Sequence, residues 1–241
     1  MKSLKFAFLL IFTALAVLVK AQTADDIINK YIAAVGGKDK IENMKSIHMT
    51  GSMDMMGKEA PLSITVLDGK GYRSEVELDG KKMIQAFTTT GGWMINPLMG
   101  VTSPQPIPDE QFQMSKDQIY IAGQLFNYAA KGYKAELAGR ENVNDVNAYK
   151  IVLSDNANNE TSYYFDPNSY YMIKASKKLN MNGQDAEVST IFSDYRKTDY
   201  GYLMPYTVET QLPQVFNFKA TIKSVEINKD IDPKIFEMPK S

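Results

Sequence analysis

The side chains that do most covalent and metal chemistry are scarce in this chain. His48 is the only histidine, and there is no cysteine. Imidazole relays, thiolate nucleophiles and thiolate metal sites therefore lack their material. His48 alternates with apolar neighbours and reads as the solvated side of a strand. Glu75 and Glu77 stand two apart, face one way on a strand, and could meet a metal or a sugar. Lying between Arg73 and Lys81-Lys82, they read more simply as cross-strand charge balance. Gly36-Gly37-Lys38 lacks the spacing of a phosphate loop and reads as a helix stop. Asn159-Glu160-Thr161 fits an N-glycosylation pattern whose use depends on the host. These residues lead us to expect no catalysed reaction, no metal and no other cofactor.

Apolar side chains, by contrast, are abundant. The sequence holds 14 methionines, 14 tyrosines and 11 phenylalanines against one tryptophan. Met53, Met55, Met56, Met94, Met99 and Met114 fall close to a proline-rich stretch. Methionine adapts its shape, which suits a pocket for a variable greasy ligand. Core packing accounts for any single one of them; the group reads equally as core or as a pocket wall.

The elements that must position these residues are legible from the pattern. Lys2 and Lys5 precede an apolar run from Phe6 to Val19, and Val19 and Ala21 are small residues before a cut. Residues 1–21 are expected to be a cleaved export signal, and 22–241 one domain. Cleavage removes Lys2, Lys5 and Lys20 and no acid, moving the net charge from −1 to −4. That disfavours a nucleic-acid surface. With no disulfide available and no site for an N-terminal lipid, a soluble periplasmic protein held by a large core is expected.

Thr23 and Asp26 suit a helix start, and Ile27, Ile28, Tyr31, Ile32 and Val35 form one stripe ending at Gly36-Gly37. A second short helix is expected over Lys38–Met44. Alternating runs then follow over 47–55, 60–66 and 72–78, with tight turns at Gly57-Lys58, Asp68-Gly69 and Asp79-Gly80. Two short strands come next. Pro97, Pro104, Pro106 and Pro108 interrupt the pattern and fit no strand interior. Phe112, Ile119, Ala122, Leu125 and Phe126 give a second helical block, predicted as a lid over 109–126. Strands resume from Tyr133. The last, over 215–227, changes face between Ile222 and Val225, which a bulge near Lys223-Ser224 repairs. The total is about ten or eleven antiparallel strands with one wet face.

Three stretches in order resemble the LolA/LolB-type lipoprotein-sorting superfamily. They are Leu67–Gly80, with Tyr72-Arg73-Ser74-Glu75; Thr88–Gly100, with Trp93 and Pro97; and Val225–Pro239, with its closing Ile235-Phe236 hook. The resemblance implies a mostly β fold with some α: an open, curved antiparallel sheet, an incomplete barrel, with helices plugging the concave face. It implies a cavity for acyl chains of a lipoprotein or lipid, with membrane-bound donor and receptor proteins as partners. Nucleic acid is not expected as a partner, and a monomer is. The cavity is expected to be lined by Met49, Met53, Leu62, Ile64, Tyr72, Val76, Phe87 and Trp93, and roofed by Phe112, Ile119 and Phe126. In the family a strand arginine holds the lid, and Arg73 is the matching residue. Alternation nevertheless places Arg73 with Glu75 and Glu77, opposite Tyr72 and Val76. The terminal hook is expected to close a free edge or open end of the half-barrel. The function so implied is periplasmic, non-catalytic carriage of acyl chains towards the outer membrane. The alternatives are an envelope lipid- or protein-sensing regulatory domain of the same fold, and an enzyme acting on carbohydrate or lipid.

Overall fold

The computed structural model describes residues 22–55, 57–181, 184–212 and 217–239, with backbone alone at 110, 179–181, 184 and 185. The expected leader, Met56 and the start of the last strand at 215–216 lie outside the described residues. Two helices open the described residues, α1 (Ala24–Ala34) and α2 (Lys38–Glu42). The Thr23 side chain accepts from the Asp26 N–H, and the Asp26 carboxylate accepts from the Thr23 N–H, a complete capping box. Five strands follow as a meander: β1 (Ser46–Met55), β2 (Lys58–Leu67), β3 (Gly71–Leu78), β4 (Lys81–Thr88) and β5 (Gly92–Asn96). The β3–β4 hairpin shows how composition sets register. Asp79 and Gly80 both have positive φ, 51° and 71°. A two-residue turn of that kind matches the strand twist, and it fixes Val76 opposite Met83.

The proline-rich stretch is a strand after all. β6 (Val101–Pro106) contains Pro104 and Pro106. It is tolerated because β6 is an edge and pairs only with β5. After α3 (Asp109–Ser115) and two short 3-10 turns, the sheet resumes with β7 (Lys134–Val143), β8 (Val146–Ser154), β9 (Glu160–Phe165) and β10 (Met172–Met181). It finishes with β11 (Gln184–Lys197), β12 (Leu203–Gln211) and β13 (Phe218–Ile227). Among the described residues 13 strands form one antiparallel sheet in the order β6-β5-β4-β3-β2-β1-β13-β12-β11-β10-β9-β8-β7. The count exceeds the expected ten or eleven mainly because β6 forms in the proline-rich stretch, where the pattern predicts no strand interior. The register between β1 and β13 slips between Thr50 and Gly51, so that Thr50 faces Ser224 and Gly51 faces Ile222. The extra residue is Lys223, where the alternation called for it.

The order explains where the helices must lie. The first and last strands pair in the middle, and consecutive β6 and β7 form opposite edges, so the sheet stays open. Residues 107–133 must therefore cross its whole width, and they do so over the concave face. Phe112 and Ile119 pack near β4, Ile121 against the central strands, and Leu125 against the β8–β9 side. On that last side α1 completes the plug, with Ile27 and Ile28 packed on Ile151, Leu153, Tyr163 and Phe165. The expected lid is helical only in part: α3 and the turn Lys116–Ile119 are helical, while 121–127 is a run of turns.

Candidate ligand groove and an outer-face socket

On the concave side of β1–β5 the inward positions are Met49, Met53 and Met55 of β1, Leu62 and Ile64 of β2, and Val76 of β3. Leu62 and Val76 are cross-strand partners, as are Met49 and Ile64. Leu62 and Val76 are buried; Met49, Met53 and Ile64 are only half-buried. Between this face and α3 runs an open groove of about 230 Å³. Met53, Met55, Val76, Met83, Met94 and Met99 line it, with Ser74, Gln85, Asn96 and Gln111 as polar members. Met83 escaped the sequence reading, although the Asp79-Gly80 turn sets it opposite Val76. Met55, Met94 and Met99 stood in the methionine group but were not placed among the lining residues.

Tyr72, Phe87, Phe112 and Ile119 come together beside the groove. The Tyr72 and Phe87 rings lie 5.8 Å apart and the Phe87 and Phe112 rings 6.3 Å apart. Ile119 and Ile107 close over Phe87. Burial pushes the Tyr72 phenol up, and a hydrogen bond with Ser74 partly offsets this. Phe126 is elsewhere. The turns over 121–127 carry it past the central strands into a cluster with Val35, Ile41 and Met44, so it roofs the α2 region and not the groove.

Trp93 does not line the concave side. It pairs with Ala86, which pairs with Arg73, while Phe87 pairs with Tyr72. Side chains alternate along a strand, so Trp93 and Arg73 share the outer face and Tyr72 and Phe87 share the inner one. Arg73 likewise holds something other than a lid. Its Nε donates to Glu75 Oε1 at 2.7 Å, its Nη1 donates to the Ile235 carbonyl at 2.7 Å, and its guanidinium stands 5.3 Å from the Trp93 ring. Trp93 Nε1 donates to the Phe236 carbonyl at 2.8 Å. The hook closes no edge; it lies across the outer face of β3 and β4, in the 3-10 turn Pro233–Phe236. Gly71 forms the floor of this socket: a Cβ there would come within 2.4 Å of the Phe236 ring.

Of the two acids singled out by spacing, Glu75 is engaged in this outer layer. Glu75 pairs with Arg73 and, at 3.5 Å, with Lys82. His48 Nδ1 lies 2.9 Å from the Thr65 hydroxyl on the same face. A second cleft, of about 300 Å³, opens on strands β8–β11 among Lys150, Tyr164, Lys177 and Glu187. Two of its charges are paired, Lys150 with Glu141 at 2.9 Å and Glu187 with Lys174 at 3.5 Å. Lys150 holds the Glu141 carboxyl below its ordinary range. Among the described residues no three His, Cys, Asp or Glu side chains are grouped so as to hold a metal ion, and no helix is long and apolar enough to cross a membrane.

An open antiparallel half-barrel, with its concave face plugged by helices and an apolar groove left along one half, defines a structural class. Comparison with solved structures places the chain in it. A LolA superfamily protein of Nitrosomonas europaea superposes with a TM-score of 0.58, at 13% identity over 90% of this chain and 98% of that one. A Vibrio parahaemolyticus domain assigned to outer membrane lipoprotein sorting superposes with a TM-score of 0.56, at 12% identity over 88% of this chain and 97% of that one. The chain has the LolA-like fold. No protein-family profile matches the sequence, and no curated protein sequence matches it.

Proposed function

We propose that the chain is a non-catalytic periplasmic carrier that takes acyl chains of a lipoprotein or lipid into the concave groove for transfer towards the outer membrane. The observation that carries this reading is the groove itself: Met53, Met55, Met83, Met94 and Val76 of the inner face, with Met99 from the turn after β5, around an open space. Thioether side chains adapt to an occupant without a fixed shape. Burial of each methylene contributes about 0.8 kcal/mol, so affinity needs no polar anchor. Donor and receptor proteins at the two membranes would then supply direction.

At about 230 Å³ the groove is below the ~300–1,000 Å³ of a preformed small-molecule pocket, so a long acyl chain requires one wall to move. Helix α3 is that wall. It spans only Asp109–Ser115, its N-cap Pro108 makes no side-chain cap, and Phe112 is its main apolar tie to the sheet. So short a helix has little stability of its own.

The test is binding of a fluorescent hexadecanoic acid to the mature chain. Wild type should bind it, and Met83→Glu or Met94→Glu should weaken binding at least about tenfold, because a carboxylate would face the hydrocarbon. The same variants should shift stability by no more than about 1 kcal/mol, because both side chains are only half-buried. Absence of wild-type binding, or unchanged binding in both variants, would overturn the reading.

A further inference from the structure

The outer-face socket ties together the strands that build the groove. Arg73 stands on β3 and Trp93 on β5, with Ala86 of β4 fully buried between them. Both long side chains converge on consecutive carbonyls of the tail, those of Ile235 and Phe236. The Phe236 ring is 1% exposed and rests on Gly71. On each strand the next residue belongs to the groove: Ser74 follows Arg73, and Met94 follows Trp93. A rotation of β5 relative to β3 therefore cannot move the socket without moving the groove wall.

The tail is an appendage and not part of the sheet. It leaves β13 at Asn228, whose side chain accepts from the Lys45 N–H at 2.7 Å and donates to the Asn43 carbonyl at 3.1 Å. Just beyond that pivot Ser46 Oγ donates to the Lys229 carbonyl and Lys229 pairs with Glu226. Past Lys229, the two side-chain-to-carbonyl hydrogen bonds from Arg73 and Trp93 and one aromatic ring hold the hook. A contact of that size can open without unfolding the strands beneath it.

We propose that the C-terminal tail is a clasp. Docked, it fixes the curl of β3–β5 and holds the groove narrow; undocked, it lets the groove widen, so acyl occupancy and tail docking oppose one another. Linkage makes the relation reciprocal: whatever pulls the tail away favours loading, and whatever seats it favours release. A receptor need only stabilise the docked tail to empty the groove. The inference rests on the acyl-carrier reading for its ligand, but the mechanical coupling can be measured without one.

Trp93 is the sole tryptophan, so intrinsic fluorescence reports the clasp directly. In Phe236→Ala the Trp93 emission should shift to the red. Unlabelled dodecanoic acid should shift the wild-type emission the same way, with the midpoint at which it displaces the fluorescent hexadecanoic acid. Phe236→Ala should hold that probe at least about fivefold more tightly than wild type. Arg73→Met, which removes one tie and keeps the ring, should act in the same direction. Without ligand, Phe236→Ala should speed amide hydrogen exchange across residues 83–96. If Trp93 becomes exposed while exchange in 83–96 stays at the wild-type rate, the coupling is wrong, whatever the protein binds. If exchange rises but no form binds the probe, the clasp stands and the acyl reading falls. Equal probe affinity in wild type and both variants would sink the opposition between occupancy and docking.

Discussion

The two halves of the concave face are built from one sheet and filled in opposite ways. Over β7–β10, helix α1 seats Ile27 and Ile28 among Ile151, Leu153, Tyr163 and Phe165, nearly all excluded from solvent. Over β1–β5, only the crossover from Ile107 to Ile121, with α3 and its turn, reaches down, and Met49, Met53, Ile64 and Met83 stay half-buried. β-branched and aromatic side chains with few rotamers fill the first half; flexible thioethers line the second. A rigid half supports the fold, and an under-filled half leaves room for something else. Their outer faces differ in the same sense. Lys-Glu pairs bridge β7 to β8 and β10 to β11, whereas a stretch of chain is laid across β3 and β4.

The sharpest way to break that comparison is by truncation on each side. Ile27→Ala should cost about 3 kcal/mol in urea unfolding, within the ~2–5 kcal/mol range for a packed aliphatic core residue, and leave acyl-probe affinity unchanged. Met94→Ala should cost about 1 kcal/mol or less, because its side chain is already partly in water. Equal costs would mean that the groove is ordinary core.

Alkali should separate the halves next. Burial pushes Tyr202 up to about 12 and raises Tyr31, Tyr163 and Tyr195 as well. The Tyr128 hydroxyl donates to Asp25 of α1, and this raises it to about 12. A phenol raised in the fold contributes stability that is fully present below its unfolded pKa of about 10. That contribution is lost as pH rises through the folded value. Tyr72 on β3 is raised too, but Tyr31, Tyr128 and Tyr163 on the α1 side outnumber it. Hydrogen exchange should therefore show α1 and β7–β10 loosening between about pH 10 and 12, before β1–β5. Tyr128→Phe and Tyr163→Phe should each flatten the fall. Loss of β1–β5 first would reverse the assignment of the rigid half.

A smaller effect sharpens the role of α1. Thr23→Ala removes the side chain that accepts from Asp26 N–H and should cost about 1 kcal/mol, with the acyl probe still bound as before. The smallest expected effect is that of salt. Binding of the fluorescent hexadecanoic acid should change less than about twofold between low and high salt, since screening acts on charge and not on apolar area. A steep fall would mean that a headgroup site dominates.

Much of the fold was open to a reader of the sequence. The capping pair Thr23 and Asp26, the Gly36-Gly37 stop, the hairpin at Asp79-Gly80 and the bulge at Lys223 follow from backbone preferences that act within a few residues. The edge strand β6 was missed because Pro104 and Pro106 forbid a central strand, and whether a strand is central is a property of the whole sheet. Of the expected lining, Met53 and Val76 line the groove, and Met49, Leu62 and Ile64 pack in the cluster beside it. Tyr72, Phe87, Phe112 and Ile119 assemble next to it. Trp93 was misplaced, though the β4–β5 register sets it opposite Ala86 and away from Phe87.

The sequence by itself determined what alternates with what. Period-two patterning put Arg73 opposite Tyr72, and apolar content without cysteine or histidine chemistry narrowed the possible roles. Only the tertiary structure decided what each face meets. The contacts that matter lie far apart in the chain: Arg73 with Ile235, Trp93 with Phe236, and Phe126 with Val35. No local preference encodes them. They arise because β1 and β13 pair in the centre of the sheet, which sends the crossover over one face and returns the tail to the other.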